Sequence, residues 1–204
     1  MIIIKKILLK FFKKNISKMQ LKKVKKSRDS VRIIIGSGYT FYKNWILTDI
    51  ETLNIIVKNN WEKYFEPDTI TSILAEHVFE HLDETDFDLA LGNIYHFLKI
   101  GGKLRIAVPD GFHASKDYIG RVKPGGTGNG SHDHKFLYDY LSLSIKLEKY
   151  GFNVNLVEYF DENGKFHIAP WNDFDGKIKR SALNDTRNFD GNLNYTSLII
   201  DAIK

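Results

Sequence analysis

From residue 31 onward the chain alternates short, unbroken apolar runs with longer stretches in which apolar residues recur every three or four positions. The runs VRIII at 31–35, WILTD at 45–49, ITSILAE at 70–76 and KLRIAV at 103–108 are rich in β-branched residues and predict buried strands. Between the third and fourth runs, DETDFDLALGNIYHFLKIGG carries Phe87, Leu91, Ile94 and Leu98 on one helical face. Asp83 and Asp86 are its cap candidates, and Gly101 and Gly102 its expected stop. Pro109 ends the fourth run, and a glycine-rich loop follows to about Asp133, which is placed to cap a helix closing at Gly151. Two last strands, 154–160 and 195–203, bracket an irregular insertion dense in aromatic and charged residues.

Strands alternating with helices predict an α/β fold with a mostly parallel sheet, helices on its faces and an antiparallel pair at the end. Ligands of such sheets lie at the carboxyl ends of the strands. Those ends carry Gly36, Ser37 and Gly38, then Asp49 and Ile50, then the segment AEHVFEHL at 75–82, then Asp110. Four candidate site elements therefore share one rim.

Composition adds a division of charge. Residues 1–32 hold ten lysines and two arginines against one aspartate, a surplus of 11, so with +5 overall the remainder carries −6. The body is mildly acidic, which argues against a nucleic-acid groove across it. The chain reads as a basic segment, 1–30, followed by one domain, 31–204, and its 43% hydrophobic content suffices for a core. Within 1–26, Ile3, Ile4, Ile7, Leu8 and Phe11 share a helical face among lysines, without a run long enough to span a bilayer and without a signal-cleavage site. Two readings stand: a helix lying on an anionic membrane surface, or one docked on the domain or a second subunit. The absence of cysteine removes disulfides, thiolate metal sites and cysteine nucleophiles, and suits a cytoplasmic location.

The first two strand ends restrict the ligand. A GxG turn lets backbone N–H groups approach it, and an acid ending the second strand can hold both hydroxyls of a ribose. Gly38 and Asp49 are only eleven positions apart, with six residues, 39–44, between the turn and the second strand. No full helix fits there to cradle a pyrophosphate, which disfavours a dinucleotide. A ligand with a ribose but no phosphate would not need that helix.

The ordered set RIIIGSG, WILTDI, ITSILAEHVFEHL and LKIGGKLRIAVPD resembles the class I S-adenosylmethionine-dependent methyltransferases, in particular a bacterial branch with EHVxEHL and GGxLRIAVPDGFH segments. The likeness covers roughly residues 31–204. It implies a Rossmann-like fold with a shortened first crossover, S-adenosylmethionine as cofactor and a methyl acceptor such as a small molecule or glycan. It further implies that Gly36, Ser37 and Gly38 face the methionine part, Asp49 and Ile50 the ribose, the 75–77 backbone with Glu76 and His77 the amino group, and Asn60 beside Trp61 the adenine.

Candidate chemistry concentrates on histidines. His77 or His81 could act as a base toward an acceptor hydroxyl, with Asp110 and His113 of PDGFH beside them. His132 and His134, in a loop with glycines at 125, 126, 128 and 130, would line a mobile lid over substrate, and Arg180 and Arg187 are candidates for substrate contact or structural ion pairs. Each histidine could equally be a hydrogen-bonded structural residue. His77, Glu80 and His81 also spell HxxEH, a zinc-hydrolase order when both histidines share a helix face. Its position at a strand exit opposes that reading, and no metal is assigned. A protein that binds S-adenosylmethionine without catalysis is the remaining alternative.

Overall fold

The computed structural model describes the backbone of residues 2–24, 30–38 and 40–204, and the side chains of the first segment from residue 12. The side chains of the apolar face at 3–11 lie outside the described ones, and residues 25–29 and 39 lie outside the described residues. Seven strands form one sheet in the order β2-β1-β3-β4-β7-β5-β6. They are β1 (Val31–Ile35), β2 (Ile46–Leu47), β3 (Ile70–Glu76), β4 (Leu98–Val108), β5 (Asn153–Phe160), β6 (Phe166–Ile168) and β7 (Leu198–Ile203). The pairs β1·β2, β1·β3 and β3·β4 are parallel, whereas β7 runs antiparallel to both β4 and β5, and β6 antiparallel to β5. Five of the seven strands therefore point one way, in a Rossmann-like α/β sheet with its antiparallel strands at one side.

Alternation along the strands sends side chains to two different coverings. Ile33, Ile73, Leu104, Ile106 and Ile200 join one large core with α2 (Lys58–Glu62), α3 (Glu84–Phe97) and α5 (Tyr140–Lys149). Ile34, Leu74, Ala107 and Ile199 face the other way, against Trp45, Ile178 and Trp171. The expectation of helices on both faces is corrected here: residues of the irregular insertion seal the second face. The physical reason is the missing helix between β1 and β2, which would otherwise cover it.

Helix α1 (Ile2–Val24) lies along β2 at the sheet's edge. The Gln20 amide nitrogen donates to Trp45 O, its oxygen accepts from the Leu47 N–H, and Leu21 enters the main core. Over residues 12–24 the basic segment is thus docked on the domain, covering an edge strand of two residues. No helix among the described residues is long and apolar enough to cross a membrane.

Several expected boundaries shift. Asp83 caps α3 by accepting from Asp86 N, as its sequence suggests, but the helix stops at Phe97 and Leu98 already pairs with Ile70. Gly101 and Gly102 sit inside β4, where the register jumps between Leu98 and Lys103. Asp133 caps nothing; Asp139 caps α5, with a reciprocal Ser142 capping box. The glycine-rich loop holds a short helix, α4 (Lys116–Val122), and folds tightly back on it. A Cβ on Gly126 or Gly128 would stand 2.6 Å from Arg121 O, so close packing explains those two glycines without invoking mobility.

Candidate functional site

After β1 the chain leaves to β2 on one side and returns to β3 on the other, making the β1/β3 junction the switch point where such sheets place ligands. The turn after β1 is built for close approach. Gly36 has φ +59°, and a Cβ there would lie 2.6 Å from Val78 Cγ2, so the GSG turn seats directly on the EHV segment leaving β3. Gly38 also has positive φ, +46°. Ser37 N–H donates to Thr48 O, tying the turn to the exit of β2, while the buried Ser37 Oγ has no hydrogen-bond partner among the described residues.

Three adjoining hollows surround this seam. One of about 330 Å³ is lined by residues including Gly36, Gly38, Glu76, His77 and Arg180. A second, about 270 Å³, lies between Asp49 and an apolar wall of Ile50, Leu53, Ile55, Ile56 and Val78. The third, about 290 Å³, reaches from Gly38 and Asp49 to Lys13, Lys14 and Ser17 of α1. Asp49 is exposed; its Oδ1 accepts from Ile50 N–H at 3.0 Å, and it borders both the second and third hollows. Burial on α1 holds the Lys13 ammonium below the usual lysine range, partly offset by Asp49. A ribose-bearing ligand would find here a carboxylate, an apolar slot for a flat ring and a backbone turn.

Two residues expected in that slot are elsewhere. Trp61 is fully buried, stacked 5.5 Å from the Phe97 ring, with its indole N–H bonded to Ile55 O. Asn60 accepts from Asn54 N–H at 3.3 Å. The slot's actual wall, residues 53–56, follows β2 without a periodic signal, which is why its sequence offered no clue beyond being apolar.

Beyond the seam lies a cavity of about 440 Å³ lined by residues including His77, Glu80, His81, His134, Arg180 and Arg187. His77 and His81 border both this cavity and the apolar slot, so they stand at the junction of the two. His77 occupies a left-handed conformation, φ +54°, which costs a non-glycine residue about 1–2 kcal/mol. Both its ring nitrogens are engaged, Nδ1 at 2.8 Å from Glu80 Oε1 and Nε2 at 3.0 Å from Ser197 Oγ. Glu80 is fully buried; burial alone would raise its carboxyl, but His77 and His81 outweigh it and hold the group below the usual range. His81 lies in the 3₁₀ turn Phe79–His81, with Nδ1 3.3 Å from Asp133 Oδ2 and its ring 4.8 Å from that of His134. The HxxEH pair therefore does not share a helix face, and the zinc-hydrolase geometry is not formed.

The other expected residues separate cleanly. Asp110 is buried and accepts from the Phe112 and Phe160 N–H groups, with burial pushing its carboxyl up to about 6. His113 stacks on Tyr118 at 3.8 Å, accepts from Ser115 N–H, and is pushed down to about 4 by burial and then Arg121. Neither lines these cavities, and His132 is exposed outside them. Arg187 is clamped to Asp185 by two bonds of 2.8 and 2.6 Å and lies over the Tyr195 ring. Glu76 uses its carboxylate to hold the Lys179 and Arg180 N–H groups. That bracket leaves the exposed Arg180 guanidinium bordering two cavities, without a hydrogen bond of its own among the described residues.

No family model matches the chain, and no curated protein does. Among solved structures, a SAM-dependent methyltransferase from Archaeoglobus fulgidus is 17% identical, with 94% of each chain covered and a TM-score of 0.48. Another SAM-dependent methyltransferase, from Thermotoga maritima, is 13% identical over 95% of this chain and 92% of its own, also at a TM-score of 0.48. The functional reading therefore rests on the chain's own residues.

Proposed function

We propose that the protein is an S-adenosylmethionine-dependent methyltransferase acting on a small, hydroxylated acceptor, with oxygen as the atom methylated. The observation that carries this is the seam at the switch point: a Gly36 turn pressed on Val78, the Asp49 carboxylate beside it, and no helix between β1 and β2 among the described residues to hold a pyrophosphate. When bound, S-adenosylmethionine supplies an electrophilic methyl group.

The residues fit such a cofactor in parts. Gly36 and Gly38 open the backbone turn to its amino-acid end, and the Arg180 guanidinium borders the same hollow, where it can meet a carboxylate. Asp49 accepts from ribose hydroxyls, while Ile50, Leu53, Ile55 and Ile56 offer apolar walls to a purine. His77, with both nitrogens engaged and a strained backbone, braces the junction without a lone pair to spare for a proton. His81 has the more open ring and meets the acceptor side. Holding acceptor and methyl group in line supplies the main acceleration expected of this arrangement.

Isothermal titration with S-adenosylhomocysteine tests the reading. Binding is expected for the native chain, weakened by about tenfold or more in Asp49→Ala, which removes a charged hydrogen-bond acceptor. Gly36→Ala is expected to abolish binding and cost about 2 kcal/mol of stability through strain and the Val78 clash. Failure of the native chain to bind either S-adenosylmethionine or S-adenosylhomocysteine would overturn the proposal.

A further inference from the structure

Glu80, His81 and His134 converge on the wall of the acceptor cavity, each offering one ligand atom, and those atoms lie within 4.8 Å of one another. Two segments distant in sequence supply them, and the backbone fastens the two together: Lys135 N–H donates to Glu80 O at 2.7 Å and Phe136 N–H to the same oxygen at 3.3 Å. The cluster is thus held by main-chain bonds and not by chance proximity of flexible side chains.

Hydrogen-bond accounting shows what is missing between these groups. His134 Nδ1 lies 2.6 Å from Val122 O, and a carbonyl can only accept, so Nδ1 carries the proton. In a neutral ring Nε2 then presents a lone pair, and it faces Glu80 Oε1 at 3.9 Å. Two acceptors facing each other in a buried place repel unless a cation lies between them. Glu80 is fully buried and its Oε2 has no hydrogen-bond partner among the described residues, whereas the buried Glu158 accepts from Trp171 Nε1–H, Ala182 N–H and the Thr196 hydroxyl. His81 adds a second imidazole, with the Asp133 carboxylate on its Nδ1 side. His134, its Nδ1 backed by the Val122 carbonyl and its Nε2 turned toward Glu80, has the arrangement that orients a metal ligand.

We propose that Glu80, His81 and His134 bind a divalent transition-metal ion of the zinc class in the acceptor cavity. Two imidazoles and one carboxylate, without thiolate, suit Zn²⁺, Co²⁺ or Mn²⁺ over Mg²⁺ or Ca²⁺, which take oxygen ligands. Ligand bonds of about 2.0–2.2 Å allow two ligands at most about 4.4 Å apart, so the present 4.8 Å closes with a small rotation of the rings. Three protein ligands leave positions open toward the 440 Å³ cavity, where an oxygen of the acceptor can enter. This site differs from an HxxEH zinc centre, because His77 stays outside it as the partner of Glu80 and Ser197.

Cobalt titration of the metal-free protein near pH 8, followed by visible absorption and without S-adenosylmethionine, tests the site separately from methyl transfer. A ligand-field band saturating at one equivalent, displaced by Zn²⁺ and unaffected by excess Mg²⁺, is expected. His134→Ala and His81→Ala should each weaken binding by more than about tenfold while circular dichroism shows them folded, and His132→Ala, exposed in the same loop, should bind as the native chain does. Should Glu80→Gln fail to fold, the two histidine variants decide. Absence of a stoichiometric band, or equal binding by His134→Ala, would overturn the proposal and leave a proton on His134 as what separates it from Glu80.

Discussion

The insertion at 169–197 and the rim at the ends of β1, β2 and β3 are about equally rich in polar side chains, yet they use them in opposite ways. In the insertion, nearly every strong group is closed. Arg105, buried on the sheet's second face, makes two bonds of 2.6 and 2.7 Å to Asp201 on the neighbouring strand, and two more to Asn172 O and Gly176 O. Glu158 accepts from Ala182 N–H, Trp171 Nε1–H and the Thr196 hydroxyl. At the rim, by contrast, the Ser37 hydroxyl and Glu80 Oε2 lack hydrogen-bond partners among the described residues, and Asp49 borders two hollows. Density of polar residues marks both regions; hydrogen-bonding capacity left over marks only the rim as a place for ligands.

Breaking the closed region should have the largest effect. Arg105→Ala strips Asp201 of a buried bidentate partner and frees two carbonyls of the insertion, and is expected to cost about 3–5 kcal/mol in chemical denaturation. A loss below about 1 kcal/mol would mean that the insertion is held by its apolar contacts alone. A sharper, smaller contrast lies between two arginines of the same segment. Arg187→Ala leaves the buried Asp185 without its clamp and should destabilise by about 1 kcal/mol, discounted because Arg187 is itself half exposed. Arg180→Ala should change stability by less than about 0.5 kcal/mol and act instead on cofactor affinity.

The smallest effect is one of pH, in the packed cluster beneath the rim. Asp110, raised from its ordinary 3.8 to about 6, holds its proton more tightly when folded, so its contribution is present below pH 4 and lost as pH rises to about 6. His113, lowered from 6.5 to about 4, runs the other way, its contribution being present above pH 6.5 and lost as pH falls toward 4. The two slopes oppose each other, so the native stability should vary little between about pH 4 and 6. Asp110→Asn should steepen the gain with rising pH, and His113→Gln should convert it to a loss; parallel curves for all three proteins would show that neither group titrates with folding.

Local pattern carried much of this architecture. The seven residues of β3 and the Asp83 cap of α3 follow from an apolar run and a short acid placed before a periodic face. The rim was legible because its members all lie at strand ends, which the α/β alternation aligns. What escaped was long-range pairing. A lone arginine in LRIAV gives no sign that its partner is Asp201, ninety-six positions away, because the pairing exists only once β7 lies beside β4. Trp61 was placed beside the adenine by the resemblance alone, and the stack on Phe97 puts it in the core. His134 reaches Glu80 through a loop whose path depends on glycines packed against Arg121, a contact with no local signature.

The place of β7 bears on the order in which the molecule can be completed. Residues 198–203 follow every other strand in the chain, yet they fill the slot between β4 and β5 and bond to both. Until they emerge during synthesis, β4 and β5 each present an unpaired edge, and Arg105 waits in an apolar face without its counter-ion. The sheet is thus closed from its middle, and a chain stopped before residue 198 would be two open half-sheets prone to pairing with one another's copies.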